Sequence, residues 1–288
     1  MLAPGRYRSR FCISLCPEVC PASFSESLFR YGNKLEILAP QILRFDSLPS
    51  TNLEAARRAI EGSPEGICVV AREQTAGRGR LERYWVSPKD AGLYFSIILR
   101  PQFDQSFWPL LTLMAAVAVH DALLAACALE TDIKWPNDIL ANDRKLCGIL
   151  AETVETSSGR AVVVGIGINL TNHSFPAELD DLATSIESTT GRTSDLEVVL
   201  EALVRALTRL YQMLQEPSGP ESILREWCAR SSYAQGKRIR VIQDKENFAG
   251  TTRGLEGDGA LRVETREGKI KVIRAGDVYE VRSTNTQL

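Results

Sequence analysis

Short alternating runs of apolar and polar residues fill much of the first half of the chain and predict β-strands. The runs at residues 42–45, 66–71, 93–99 and 162–170 are rich in β-branched residues and bounded by turn residues. Another strand is predicted to end before Pro136, which cannot donate to a ladder. Asn142 and Asp143 predict a turn into the strand that carries Lys145. By this pattern the ordered part of the chain begins near Gln41.

Three segments have helical patterns. Residues 47–52 supply turn and N-cap residues ahead of a helix that runs through Arg58. Residues 107–129 are mostly apolar and alanine-rich, but Thr112, His120 and Asp121 interrupt the run, which favours a buried helix over a membrane span. Leucines recur at helical spacing after residue 196 and predict an amphipathic helix, at Leu200, Leu203, Leu207, Leu210 and Leu214.

The pattern changes after Ser232 to short strands with glycine turns. The runs at 238–242, 248–255, 260–264, 269–273 and 278–281 predict a small barrel. Because the order of elements is not a regular β-α alternation, the main domain is expected to be α+β with a mixed or antiparallel sheet. We therefore predict a disordered N-terminal tail at 1–40, a catalytic domain at 41–232 and a C-terminal barrel at 233–288.

Composition excludes few classes of protein. The 288 residues are 44% hydrophobic and 24% charged, enough for one substantial domain and a small one. A formal net charge of −2 argues against general attraction to nucleic acid or to an anionic membrane. Seven cysteines without paired spacing favour reduced thiols and a cytoplasmic location.

The first residues leave alternatives open. Cys12, Cys16 and Cys20 have a regular spacing, but neither a histidine nor a fourth cysteine lies close by to complete a metal site. Several arginines and no acid among the first 17 residues leave a targeting peptide or a misassigned start as alternatives to a disordered tail.

The segment at residues 77–85 carries the most chemistry. Its two glycines free the backbone, and Arg78, Arg80 and Arg83 supply guanidinium groups that grip anions bidentately. Trp85 ends the segment with a flat ring. The pattern is typical of a binding site for an anion attached to a flat ring, although a basic run is more often a solvated loop.

Three further motifs follow this segment. Residues 132–139 read DIKWPNDI, residues 145–150 read KLCGIL, and residues 165–169 read GIGIN. With these motifs in this order, over residues 50–170, the chain resembles the biotin protein ligases. Any one of the motifs could occur by chance, but the four together identify the resemblance.

The resemblance implies a fold and an activity. The fold would be a catalytic domain like that of class II tRNA synthetases, followed by an SH3-like barrel. The activity would be that of an ATP-dependent, AMP-forming ligase with biotin and ATP as substrates and Mg²⁺ as cofactor. It would form biotinyl-5′-AMP and transfer biotin to a lysine of the biotin carboxyl carrier protein domain of acetyl-CoA carboxylase. The resemblance also allows a homodimer, and it implies neither a nucleic-acid nor a membrane partner.

The resemblance also assigns roles to residues. Lys134 and Arg80 would be catalytic, because two anions must be neutralised and held in line. Biotin would be bound by Ser50, Thr51, Asn52, Gln74, Arg78, Gly79, Arg80, Lys145 and Gly148. ATP and the adenylate would be bound by Arg78, Arg80, Arg83, Trp85, Lys134, Asn137 and Asn169, with Trp85 stacking on the adenine. Asp138 would be a Mg²⁺ ligand, since Mg²⁺ tends to take one or two protein oxygens together with substrate phosphates.

Each assignment has a structural alternative. The triplet at 50–52 could simply cap a helix, and the two lysines could serve solubility at strand ends. Asn137 and Asp138 could form a turn without metal, and the glycines at 165 and 167 could mark a bulge. Cys147 is expected to be a core residue rather than a nucleophile, because only Lys145 beside it would lower its pKa.

Two departures from the family pattern stand out. Glu82 replaces a residue that is often glycine, which puts the mobility of the loop and its affinity for an anion in question. The segment before residue 41 lacks the paired amphipathic helices of a helix-turn-helix, so a ligase without a DNA-binding domain is expected. A lipoate or other acyl-protein ligase on the same scaffold, and a non-catalytic regulator that binds biotinyl-adenylate, remain as alternatives.

Overall fold

The structure is a computed structural model that describes residues 38–243 and 246–281. The predicted tail therefore lies outside the described residues except for positions 38–40, and the cysteines at 12, 16 and 20 lie outside them as well. Leu38 is buried against the hydrophobic core.

A seven-stranded sheet forms the main domain, in the order β1-β2-β3-β7-β6-β5-β4. The β1 and β2 strands pair in parallel, and the other neighbours pair antiparallel, so the sheet is mixed as predicted. Asn142 and Asp143 both have positive φ angles, of 50° and 60°, and form the predicted turn between β5 and β6. The strands are β1 Gln41–Phe45, β2 Ile67–Ala71, β3 Gly92–Leu99, β4 Asp132–Lys134, β5 Asp138–Ala141, β6 Arg144–Thr156 and β7 Gly159–Asn169.

Helices cover both faces of this sheet. The described α-helices are α1 Thr51–Ile60, α2 Leu110–Cys127, α3 Ile186–Thr190, α4 Leu196–Leu214 and α5 Gly219–Ala229. Alternate residues of the strands face opposite sides, so Val70 and Ile97 belong to the larger core while their neighbours Val69 and Ile98 pack with α1. The long helices α2 and α4 pack in the larger core, which leaves the α1 face for the site described below.

The α2 helix is long and apolar enough to cross a membrane by length and composition, but most of it is buried inside the protein. Its first half packs in the larger core, with Leu110, Leu111 and Met114 fully enclosed. The structure therefore agrees with the prediction of a buried helix. The α4 helix likewise buries each of the leucines that the helical spacing identified.

A five-stranded antiparallel sheet follows, in the order β11-β10-β9-β8-β12. Its strands are β8 Gln235–Ile242, β9 Asn247–Leu255, β10 Leu261–Thr265, β11 Ile270–Ile273 and β12 Asp277–Glu280. The two sheets share one core, and the indole nitrogen of Trp135 donates a hydrogen bond of 3.0 Å to the carbonyl of Gly259. The predicted α+β domain followed by an antiparallel β domain is thus confirmed.

Candidate active site

Two neighbouring rows of residues across the main sheet form the floor of a pocket. In the first row, Ser96 of β3 pairs with Gly165 of β7, which pairs with Leu150 of β6. A Cβ atom at Gly165 would overlap the side-chain oxygen of Asn52, so only glycine lets Asn52 lie on the sheet. The absence of a side chain at residue 165 therefore makes room for the start of α1.

The second row supports the tryptophan. Gly167 of β7 pairs with Gly148 of β6, which pairs with Asp138 of β5. A Cβ atom at Gly167 would come within 2.5 Å of the indole nitrogen of Trp85, so the ring lies directly on the glycine. That nitrogen is buried and has no hydrogen-bond partner among the described residues, although a buried indole N–H usually has one. The unpaired N–H marks a place where an acceptor would be stabilised.

Polar side chains form one wall of the pocket. The side-chain amide oxygen of Gln74 accepts hydrogen bonds from the Thr51 backbone N–H at 2.8 Å and from the Thr51 hydroxyl at 3.1 Å. Ser96, which is fully buried, donates to Asn52 at 2.6 Å and lies 2.8 Å from the Thr51 hydroxyl. Ser50 is at the N-cap position of α1, but within the described chain its side chain makes no capping hydrogen bond. Helix capping therefore does not account for the Ser50 hydroxyl, which lines the pocket.

The arginine-rich segment folds as a small hairpin over this floor. The Trp85 N–H donates to the Gly77 carbonyl at 3.0 Å, and the Gly79 N–H donates to the Arg83 carbonyl at 2.7 Å. We call residues 77–85 the arginine hairpin. Its tip is a tight turn closed by the Arg83 N–H and the Arg80 carbonyl at 3.2 Å.

Glu82 lies in this turn. Leu81 and Glu82 both have positive φ angles, of 53° and 58°, a conformation that glycine adopts more readily than a residue with a Cβ atom. The Glu82 side chain is exposed and is not among the residues that line the pocket. The departure noted in the sequence thus affects the backbone of the turn, and the Glu82 carboxylate lines an adjoining cavity beside the hairpin and not this pocket.

Each arginine of the hairpin has a different polar partner. Arg78 forms an ion pair with Glu152 of β6 at 2.8 Å, and Arg83 forms one with Asp277 of β12. Arg80 donates to the side-chain oxygen of Asn137 at 2.9 Å. Burial lowers the pKa of Arg80, yet a guanidinium group stays protonated in proteins. The hairpin therefore presents positive charge from above the pocket.

Two lysines meet at Asp138. Lys145 lies 2.6 Å from one carboxylate oxygen and stands over the Trp85 ring, 5.5 Å from its centroid. Lys134 lies 3.8 Å from the other oxygen, and its ammonium group is 5.1 Å from the centroid of the Tyr279 ring. Burial lowers the pKa of Lys134, which the nearby Asp138 carboxylate partly offsets. Positive charge from β4, β6 and the hairpin is thus gathered around one carboxylate.

The same contacts bear on the predicted metal site. Within residues 38–243 and 246–281 there is no group of three or more His, Cys, Asp or Glu side chains that could hold a metal ion. The Asn137 oxygen already accepts from Arg80, and Asp138 faces two ammonium groups. These residues do not fit a resident cation, so any Mg²⁺ would arrive with ATP and take Asp138 as one oxygen ligand at most.

Most of the residues predicted for the site come together. The predicted residues that line the pocket are Ser50, Thr51, Asn52, Gln74, Arg78, Gly79, Arg80, Arg83, Trp85, Asn137, Asp138, Lys145 and Gly148. Lys134 does not line the pocket itself but lies beside Asp138, which does. Asn169 is buried below, where its amide nitrogen donates to the Thr184 carbonyl at 2.9 Å. Cys147 is buried, and burial raises the pKa of its thiol, in agreement with a core position.

Sequence reasoning missed several residues of the site. Ser96, Glu152, Asp277 and Tyr279 contact the predicted residues from strands β3, β6 and β12. Period-2 alternation could have placed Glu152 on the same face as Gly148 and Leu150. By contrast, the sequence gives no signal that β12 meets the arginine hairpin, because that contact spans almost two hundred residues.

Comparison with known proteins agrees with this geometry. The model of the biotin/lipoate A/B protein ligase family matches residues 43–169, and the model of the biotin protein ligase C-terminal domain matches residues 235–279. The first of these defines a class of enzymes that attach biotin or lipoate to proteins.

Curated relatives narrow the class. The biotin–[acetyl-CoA-carboxylase] ligase of Paracoccus denitrificans is 37% identical over 237 residues, which cover 80% of this chain and 96% of that protein. The bifunctional ligase/repressor BirA of Bacillus subtilis is 39% identical over 264 residues, covering 90% of this chain and 79% of that one. The biotin protein ligase of Aquifex aeolicus in complex with biotin and ATP superposes with a TM-score of 0.73 at 29% identity, covering 84% of this chain and 99% of that one. The chain therefore belongs to the biotin protein ligase family.

Proposed function

We propose that the protein joins biotin to the AMP portion of ATP and then transfers the biotin to a carrier protein. In the first step a biotin carboxylate oxygen attacks the α-phosphorus of ATP, the bond to the β-phosphate oxygen breaks, and pyrophosphate leaves. In the second step a lysine amine of the carrier attacks the carbonyl of biotinyl-5′-AMP, loses a proton and releases AMP. The enzyme forms no covalent bond with either substrate.

One observation carries this proposal. Arg78 and Arg80 of the arginine hairpin and Lys145 of β6 come from two distant segments of the sequence and line the same pocket, next to a wall of hydrogen-bonding side chains. A carboxylate and a triphosphate repel each other, and cations fixed beforehand in a partly dry site lower the barrier by stabilising both. Relatives with 37% and 34% identity are named biotin–[acetyl-CoA-carboxylase] ligases, in Paracoccus denitrificans and Mycobacterium tuberculosis.

The polar wall would receive the neutral head group of biotin. Ser50, Thr51 and Gln74 present hydroxyl and amide groups at one end of the pocket, and Gly148 leaves space beside Lys145. A small ureido ring needs several such hydrogen bonds in an otherwise apolar cavity. The valerate chain would then point its carboxylate toward the arginine hairpin, past Gly79.

The adenylate would lie under the hairpin. Arg80 and Arg83 would face its phosphate, with Asn137 holding Arg80 in place. Trp85 would pack against the adenine, and its unpaired indole N–H would donate to an acceptor of the ligand. Asn169 would contribute only indirectly, because its amide nitrogen is bonded to the Thr184 carbonyl.

The proposal also specifies how the protein that accepts biotin must approach the site. A carrier domain of a biotin-dependent carboxylase must present its lysine at the open side of the pocket, where the hairpin is exposed.

The described cysteines, Cys68, Cys127, Cys147 and Cys228, are free, which supports a cytoplasmic enzyme. A net charge of −2 supports a protein partner over nucleic acid or membrane, and self-association as a homodimer is part of the proposal.

A direct assay tests the proposal. Purified protein is incubated with ATP, Mg²⁺, labelled biotin and a carboxylase carrier domain, and label on the carrier is measured. We expect transfer that requires ATP, together with release of AMP and pyrophosphate. Labelled lipoate with its own carrier domain is the matched comparison. Transfer of lipoate in preference to biotin would support the acyl-protein ligase alternative, and binding of the adenylate without transfer would support a regulator.

Replacement of Gly165 by alanine should weaken biotin binding. The added Cβ would overlap Asn52, and crowding of this kind in a packed site costs about 1–3 kcal/mol, or roughly five- to 150-fold in affinity. Titration calorimetry with biotin measures the change. Gly257→Ala is the control, because no atom lies within 4 Å of its Cβ position. Equal affinities for Gly165→Ala and wild type would show that Asn52 does not form part of the binding wall.

Replacement of Arg80 by alanine should release the intermediate. Arg80 is half-buried and joins the hairpin to Asn137, so its loss removes both a charge and a tie that closes the pocket. We expect free biotinyl-adenylate to appear about tenfold faster, as for the loss of one charged hydrogen bond. A quench assay that separates free from bound adenylate measures this rate. Unchanged retention would count against closure of the pocket by the hairpin.

A further inference from the structure

Glu152 joins two parts of the site that the proposed mechanism uses separately. Its carboxylate oxygen Oε2 accepts a hydrogen bond of 2.9 Å from the Asn52 amide nitrogen, in the wall that would receive biotin. Its other oxygen, Oε1, accepts from Arg78 Nη2 at 2.8 Å, in the arginine hairpin. The second nitrogen of the same guanidinium, Nη1, lies 3.4 Å from Oε2. One side chain of β6 thus bridges the start of α1 and the hairpin.

The hydrogen bonds around Asn52 allow one orientation of its amide. Ser96 donates to the Asn52 oxygen at 2.6 Å, while the Asn52 nitrogen donates to the Leu150 carbonyl at 3.2 Å and to Glu152. A rotated amide would place its oxygen against a carboxylate that can only accept. Asn52 therefore always presents a donor to Glu152, and Glu152 keeps a fixed pair of oxygens for Arg78.

We propose that Glu152 is a positioning residue that couples occupancy of the biotin wall to the position of the arginine hairpin. This inference rests on the proposed function. A ligand head group packed against Asn52 restrains Asn52, which restrains Glu152, and the hairpin is held more firmly through Arg78. Biotin alone, without ATP, then reduces the opening of the hairpin.

The exposure of the two side chains limits the strength of the tie. The Arg78 side chain is 43% exposed and that of Glu152 is 29% exposed, so water screens the ion pair. We expect its loss to change the opening equilibrium by about threefold, which corresponds to a partly exposed pair. The hairpin can consequently still open to admit ATP and to release product.

Chymotrypsin measures the opening without any ligand. Tyr84 in the hairpin is 86% exposed, and cleavage after it does not depend on the arginines. We expect Glu152→Gln to be cleaved there about threefold faster than wild type. Glu155→Gln is the matched control, since Glu155 lies on the same strand and pairs with Arg160 at 2.6 Å, and its cleavage rate should be unchanged.

The pair is isolated by a double-mutant cycle. Arg78→Met should accelerate cleavage as much as Glu152→Gln, and the double variant should be no faster than the faster single variant. Arg78 is exposed, so its variant also tests the pair if Glu152→Gln fails to fold. Multiplying effects, a wild-type rate in both single variants, or equal acceleration in Glu155→Gln would overturn the proposal.

Biotin tests the coupling. Saturating biotin should slow cleavage after Tyr84 in wild type and slow it less in Glu152→Gln, with saturation of each protein verified by calorimetry. Equal protection of both proteins would overturn the coupling. Should wild type fail to bind biotin, the proposed function fails, while the ligand-free comparison still decides whether Glu152 holds the hairpin.

Discussion

Replacement of Lys145 by methionine should reduce the rate of biotinyl-adenylate formation by about a hundred- to a thousandfold, as for the removal of one fixed donor that faces developing charge. Lys145 lines the pocket beside Gly148 and stands over Trp85, where the biotin carboxylate and the α-phosphate would meet. Methionine preserves the apolar stem and removes only the charge. Exchange of labelled pyrophosphate into ATP in the presence of biotin measures the first step alone.

A second lysine provides a close control for this variant. Lys237 has the same kinds of neighbour outside the pocket, a carboxylate and an aromatic ring: it pairs with Glu280 at 3.1 Å and stands 5.0 Å from the centroid of Tyr233. Lys237→Met should therefore lose a similar amount of stability in thermal unfolding while keeping its exchange rate. A loss of exchange in both variants, or in neither, would mean that the charge of Lys145 has no special role.

The fold was largely predictable because its strands and helices are local patterns. Alternation gave the strands around residues 93–99 and 162–170, and leucine spacing gave α4. The parallel pairing of β1 with β2 was not predictable, because the chain between them contains α1 and no residue pattern specifies the direction of pairing. The α5 helix also went unpredicted, since its apolar face is short and begins next to Gly219 and Pro220.

The residues of the site were predictable to different extents for the same reason. Residues that lie close together in one sequence motif, such as Arg78 and Arg80 in the hairpin, could be placed at the pocket from the sequence. Residues that act through contacts between distant strands could not: Ser96 lies under Asn52 only because β3 and β7 pair in one register. Asn169 shows a further limit. Its place in a motif identifies the residue, but the motif does not predict that its side chain donates to the Thr184 carbonyl.

The environment of Lys134 makes its charge depend on pH. The side chain is 18% exposed, with Asp138 at 3.8 Å and the Tyr279 ring on its other side. Burial disfavours the ammonium form and lowers its pKa, and the nearby Lys145 adds to this, while Asp138 and Asp277 oppose it. As the pH rises, Lys134 therefore loses its proton earlier than an exposed lysine would. If its charge assists adenylate formation, activity falls on the alkaline side as that proton is lost.

Replacement of Lys134 by alanine should lower the rate of adenylate formation about a hundredfold, because the proposed function places this charge close to the reacting phosphate in a poorly solvated site. Lys134→Arg keeps the charge, and arginine does not lose its proton in the accessible range. We therefore expect Lys134→Arg to retain much more activity than Lys134→Ala and to shift the alkaline fall in pyrophosphate exchange to higher pH. An alkaline fall at the same pH in wild type and in Lys134→Arg would show that a different group titrates. Nearly full activity of Lys134→Ala would show that this lysine has only a structural role, at the end of its strand and as an ion-pair partner of Asp138. Lys145 and the arginine hairpin would then neutralise the two anions.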